Sequence, residues 1–159
     1  MLFLAKKTVA AALAAGTLLA LPAVAGASSM TGSEASLLRE INRVRVAHGV
    51  RALHYDATLA RAAHAHSLDM AREGYFAHGA FASRMLHFGV HGPFAGENLA
   101  WGTGSFGSPH GIVSAWLRSP EHRANLLRPG FRRIGLGELT ASFEGASGAN
   151  VVTADFAGF

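Results

Sequence analysis

The chain has 159 residues and no cysteine, which excludes disulfide frameworks, thiolate metal sites and cysteine nucleophiles. Its formal charge is +4, but Lys6 and Lys7 are its only lysines; without them twelve arginines face ten acids, an excess of +2. Those arginines are scattered along the sequence and lack the basic stripe with interleaved aromatics of a nucleic-acid surface, so no nucleic-acid partner is expected.

Residues 1–27 read as a secretory signal peptide. Lys6 and Lys7 precede an Ala/Leu/Val/Gly run over 8–21, and small residues offer a cut after Ala25 or Ala27. The run is shorter than the roughly 20 residues a spanning helix needs. Export to an extracellular or periplasmic location follows, with no stable membrane span after cleavage. Residues 28–33 read as a short polar leader, and 34–159 as one domain of about 130 residues, enough for a real core.

Thr31 and Glu34 have the spacing of a capping box. Leu37, Leu38, Ile41, Val44 and Ala47 then recur at helical spacing until Gly49. Residues 50–54 read as extended, with Val50 and Ala52 on one face. A second helix is expected from Asp56 or Thr58 to Glu73, stopped by Gly74, with Leu59, Ala62, Ala63, His66 and Met70 inward. After a loop carrying His78 come a short helix over 82–88 and a short buried segment over 96–101. Ser108-Pro109 and Ser119-Pro120 each pair an N-cap with a first-turn proline, predicting helices to about 117 and 127. Residues 132–139 and 150–156 suit strands, joined as an antiparallel hairpin by a polar turn over 142–148. Helices first and strands late give an α+β layer structure.

Nine histidines are present. His48, His54, His87, His91 and His110 sit near helix ends or in loops, where solvent and the helix dipole account for them. His64 is expected to be exposed, and His66, on the apolar stripe, to be a hydrogen-bonded core residue. His78 follows an aromatic in Tyr75-Phe76-Ala77-His78, and His122 opens a helix in Ser119-Pro120-Glu121-His122. Neutral imidazole is a common ligand for zinc and related ions, yet spacing alone fits ordinary loop and helix residues equally. Glu97, within Gly96-Glu97-Asn98-Leu99-Ala100, is expected to be partly buried and so to need a histidinium, backbone amides or a metal as partner. Glu121 suits the positive end of a helix dipole. No nucleophile elbow, phosphate loop or dinucleotide fingerprint is present, and Asp56, Asp69 and Asp155 complete no recognisable triad.

The ordered set Ile41-Asn42-x-x-Arg45, His66-Ser67-x-Asp69-Met70, Phe76-x-His78, Gly96-Glu97-Asn98-Leu99-Ala100 and Trp116-x-x-Ser119-Pro120-x-His122-Arg123-x-Asn125-Leu126-Leu127 resembles the bacterial, SCP-like extracellular branch of the CAP superfamily. The match runs over roughly residues 34–158. The resemblance implies a three-layer α-β-α sandwich with a small antiparallel sheet. It also implies an open cleft of two histidines and two acids, often holding a divalent cation such as zinc. Carried over by motif, the histidines are His78 and His122 and the first acid is Glu97. Ser119 stands where the family often has its second glutamate, so Glu121 is the remaining candidate. The segment between His78 and Arg84 is short for bacterial members.

The favoured function is an exported binding module whose cleft takes a divalent cation, zinc foremost, or a small ligand. A water-activating hydrolase acting on peptides or cell wall is one alternative. A lipid- or sterol-binding module, with an apolar channel beside Phe76, Phe81, Phe88 and Trp101, is another. Partners are then a small ligand, a lipid or a cell-envelope component.

Overall fold

The computed structural model describes residues 30–92 and 94–158. The expected signal peptide lies outside the described residues. Among those described, no helix is long and apolar enough to cross a membrane.

Helix α1 spans Gly32–Ala47. Thr31 Oγ1 accepts from the Glu34 amide at 3.2 Å and Glu34 Oε2 accepts from the Thr31 amide at 2.8 Å, so the expected capping box forms. The helix therefore starts inside the stretch read as leader. It buries Leu37, Ile41 and Val44. Only His54–Tyr55 of the expected extended segment forms a strand, β1. Leu53, not Ala52, points inward there, because Asn42 clamps the Leu53 backbone with bonds of 2.7 and 3.0 Å.

Asp56 caps α2 (Ala57–Glu73), its Oδ1 accepting from the amides of Thr58 and Leu59. Gly74, at φ 68°, ends the helix in the left-handed region. Then follow α3 (Phe81–His87), β2 (Ala95–Gly102), α4 (Pro109–Arg118), α5 (Pro120–Leu126), β3 (Arg133–Phe143) and β4 (Ala146–Ala157).

The sheet order is β1-β3-β4-β2. β4 pairs antiparallel with both neighbours, whereas β1 runs parallel to β3 through His54↔Arg133 and Tyr55↔Ile134. The sheet is thus mixed, a correction to the all-antiparallel expectation. Asp56 secures this edge, accepting from Arg133 at 2.8 Å while capping α2. The β3–β4 turn is tighter than expected. It consists of Glu144 (φ 49°) and Gly145 (φ 78°), and two left-handed residues in a two-residue loop match the twist of the flanking strands. The strands consequently run on through the polar residues read as turn.

Helical layers cover both faces. On one, α2 lies directly against β3: a Cβ on Gly135 would come within 2.1 Å of the Ala60 nitrogen, and one on Gly137 within 2.3 Å of the Ala63 carbonyl carbon. Met85 of α3 joins Leu59 and Ala62 of α2 in this layer. On the other face Leu37, Ile41, Trp116 and Leu126 from α1, α4 and α5 pack on Ile134, Leu136, Val152 and Phe156. This is the expected three-layer α-β-α sandwich.

Candidate functional site

The site is built on β2, an edge strand. The unpaired carbonyls of its outer edge are taken up by side chains of the flanking helices. Trp116 Nε1 donates to the Leu99 carbonyl at 2.8 Å, and Asn125 Nδ2 to that of Glu97 at 3.1 Å. Asn98 Nδ2 donates in return to the His122 carbonyl at 3.0 Å. These bonds satisfy groups that would otherwise be buried without a partner and fix α5, which carries His122, against β2. Their motif residues thus position the site.

The Glu97 side chain is 2% exposed. Its Oε1 accepts from His78 Nδ1 at 2.7 Å, and its Oε2 accepts from Arg84 Nη2. A buried carboxylate needs such partners. A histidine was among those expected; the arginine was not. Arg84 comes from α3, and its Nη1 also donates to the His78 carbonyl at 3.3 Å, so one guanidinium holds both the acid and the loop above it. Two further bonds shape that loop. Tyr75 donates its hydroxyl proton to Asp69 at 2.5 Å, and His66 Nε2 donates to the Ala77 carbonyl at 3.0 Å. His66 is buried 4.0 Å from Glu97 Oε2. Burial lowers its pKa, so it is the neutral, hydrogen-bonded core histidine expected.

Asp155 is a second carboxyl behind the first. It is the cross-strand partner of Glu97 on the same face of the sheet, has no solvent exposure, and among the described residues its only polar neighbour able to share its proton is the Glu97 carboxylate. Burial, and after it the charge of Glu97, push the Asp155 carboxyl well above its ordinary 3.8. Two adjacent buried carboxyls do not both ionise readily, so Asp155 is the neutral member. Reading the aspartates only for a histidine partner missed it; strand register would have revealed it.

His122 is half-buried, and its Nδ1 lies 2.8 Å from Ser119 Oγ. The serine was read as capping chemistry. It occupies the cap position of α5 but makes no side-chain cap bond; its hydroxyl is turned to the imidazole. Burial first, and then the charge of His78, lower the pKa of His122, which keeps it a neutral base at neutral pH. Glu121 is exposed in the first turn of α5 and has no hydrogen bond or ion pair among the described residues. It is outside the bonded cluster, though its charge acts on His122.

The carboxylate fixes His78 with its proton on Nδ1. The bond between His122 Nδ1 and Ser119 Oγ runs in either direction according to the tautomer, and with the proton on Nδ1 the serine accepts as Glu97 does from His78. Both Nε2 atoms are then lone-pair donors, and neither has a hydrogen-bond partner among the described residues. His78 is 55% exposed at its side chain. Among the described residues, no three histidine, aspartate or glutamate side chains are grouped to hold a metal ion. Of four cavities of about 590, 600, 270 and 450 Å3, none is lined by His78, Glu97 or His122, but the last borders the cluster through His66, Tyr75 and Arg84.

The family model for the cysteine-rich secretory protein family, CAP, matches residues 38–156. An uncharacterized protein of Bacillus subtilis, YkwD, is 36% identical over 115 residues, which cover 69% of this chain and 44% of that protein. The membrane protein YlbC of the same organism, also uncharacterized, is 34% identical over 67% of this chain and 32% of its own length. The chain thus spans less than half the length of these curated relatives. Among solved structures, an extracellular SCP-domain protein from Bacillus anthracis is 25% identical with a TM-score of 0.63, over 82% of this chain and 45% of that one. An outer surface protein from Borrelia burgdorferi shares the fold with a TM-score of 0.69 at 21% identity, over 80% of this chain and 93% of that one. Motifs, layers and matches agree: the chain belongs to the CAP, or cysteine-rich secretory protein, family.

Proposed function

We propose that this chain is an exported CAP module whose His78 and His122 together hold a divalent cation, zinc foremost, through their Nε2 atoms. One observation carries the reading: both imidazoles are bonded at Nδ1, to Glu97 and to Ser119, with Nε2 left open. That is the arrangement by which outer partners orient histidine ligands. The residues present fit a cation with two protein ligands, its other positions going to water or to an exogenous ligand. A bound cation would supply Lewis acidity at those open positions. Export is supported by the leading segment and by the extracellular and outer-surface proteins that share the fold.

Glu97 serves to orient His78. Both of its oxygens are engaged, which argues against its acting as a free base toward water and so against the Glu97-dependent hydrolase. The lipid reading required an apolar channel beside four aromatics. Phe81 and Phe88 line separate cavities of about 270 and 450 Å3, and neither of these takes in Phe76 or Trp101, so the cation reading is preferred.

The test is the zinc content, by elemental analysis, of protein purified without chelator. Zinc retained by the parent chain and lost in both His78→Ala and His122→Ala is the expected result. Equal content in all three proteins would refute the assignment.

A further inference from the structure

Helix α5 presents a second surface. His122 and Asn125 face the site and β2, whereas Arg123, Ala124 and Leu127 recur at helical spacing on the outer side. There a groove of about 590 Å3 has Leu117, Ala124 and Leu127 among its lining residues, with Arg118, Arg123 and Arg128 around them. The sequence spreads these arginines five residues apart; the fold gathers them. No acidic residue lines the groove. Arg118 and Arg123 are exposed, and neither makes a hydrogen bond or ion pair among the described residues. The Arg128 guanidinium rests 5.4 Å from the centre of the Phe131 ring. Pro120 and Pro129 also form part of the wall and restrict its backbone, which lowers the ordering cost of binding.

Three cations without an ion pair among the described residues, set around an aliphatic floor, call for an occupant with several negative groups flanking an apolar one. Guanidinium forks match planar carboxylates in paired hydrogen bonds. The floor leucines are half-buried and recessed; neither is among the chain's exposed large hydrophobic residues. Recessed apolar groups suit a side chain reaching in, not insertion into a bilayer. No aromatic lines the groove, which removes the stacking platforms used for single-stranded nucleic acid. The volume lies in the range that takes a ligand of many atoms, more than one side chain fills.

We propose that this groove docks an acidic peptide segment of a partner protein. One apolar side chain of the segment lies on Leu117, Ala124 and Leu127, and flanking carboxylates pair with Arg118, Arg123 and Arg128. The site is independent of the histidine pair, on the opposite side of the same helix.

The experiment is fluorescence anisotropy of the full chain with a labelled synthetic peptide carrying one leucine between glutamates. Saturable binding should weaken with added salt. It should fall about tenfold or more when Arg118→Ala and Arg123→Ala are combined. It should also fall in Ala124→Trp, which fills the floor from an exposed position, and should persist in His78→Ala. Four results would each overturn the proposal: no saturable binding, equal affinity for a leucine-free peptide, unchanged affinity in the double arginine variant, or preference for phosphatidylglycerol vesicles or a single-stranded oligonucleotide over the peptide.

Discussion

Two buried glutamates in this molecule each hold a histidine at the same distance, with different consequences. Glu97 takes His78 at 2.7 Å, and Glu34 takes His64 at 2.7 Å. Each has a second carboxyl close by, Asp155 behind Glu97 and Glu138 near Glu34. Glu138 accepts from Ser33 at 2.7 Å, and burial, then the charge of Glu34, raise its pKa. Yet the Glu34 pair closes a structural joint. It ties the capping box of α1 to the middle of α2, and His64, expected to be exposed, is two-thirds buried there. The Glu97 pair adds an arginine beneath and leaves an imidazole open above, with His122 beside it. A buried glutamate–histidine pair is therefore no functional signal in itself; the greater exposure of His78, 55% against 34% for His64, and the charge coupling of His78 to His122 make the difference.

The largest expected effect separates the clusters by charge. Arg84→Met leaves Glu97 without its buried guanidinium partner and should cost about 3–5 kcal/mol in urea unfolding. A loss below about 1 kcal/mol would mean that the guanidinium is dispensable to the cluster.

His64→Ala should cost about 1–3 kcal/mol by leaving Glu34 short of a partner, and should not alter cation binding. Burial pushes the Glu34 carboxyl up, but bonds from His64 and Thr31 outweigh it and hold the group below 4.5. The bond to Glu34 holds His64 above its ordinary 6.5. The glutamate's contribution thus fades as pH falls below 4.5, and the histidine's as pH rises through its elevated value. The difference between parent and variant should peak between pH 4.5 and 6.5; unfolding curves across pH check this.

Asp155→Asn should be smaller and of opposite sign. The native carboxyl keeps its proton well above 3.8, so folding binds a proton and this group lowers stability as pH rises, by at most about 1.4 kcal/mol per pH unit. The amide should remove that slope and be the more stable form at neutral pH. Parallel pH profiles for parent and variant would show that Asp155 is ionised.

The smallest structural effect belongs to Ser119→Ala. It should change stability by less than about 1 kcal/mol, because the hydroxyl caps nothing, while weakening zinc binding about tenfold or more through the freed His122 ring. A calorimetric titration checks the second part; unchanged affinity would reduce the serine to a spacer.

What was legible in the sequence follows from the range of each interaction. Thr31 with Glu34, Asp56 before α2 and Ser108-Pro109 before α4 act within one helical turn, so local spacing revealed them. His78, Glu97 and His122 were picked out by their motifs before any geometry was known. The partners of Glu97 were not. Arg84 is 13 residues away and Asp155 lies across the sheet, and neither residue type announces a buried role. Ser119 was misread because serine before proline is the ordinary cap signal, and only the fold shows its hydroxyl turned to His122. The Glu144–Gly145 turn was hidden among flanking serines and glycines that widen the apparent loop.

A calorimetric zinc titration of four proteins side by side decides whether the two histidines share a cation: the parent chain, His78→Ala, His122→Ala and His64→Ala. Binding is expected in the parent and in His64→Ala and lost in the other two. Equal binding by all four, or loss only in His64→Ala, would contradict it.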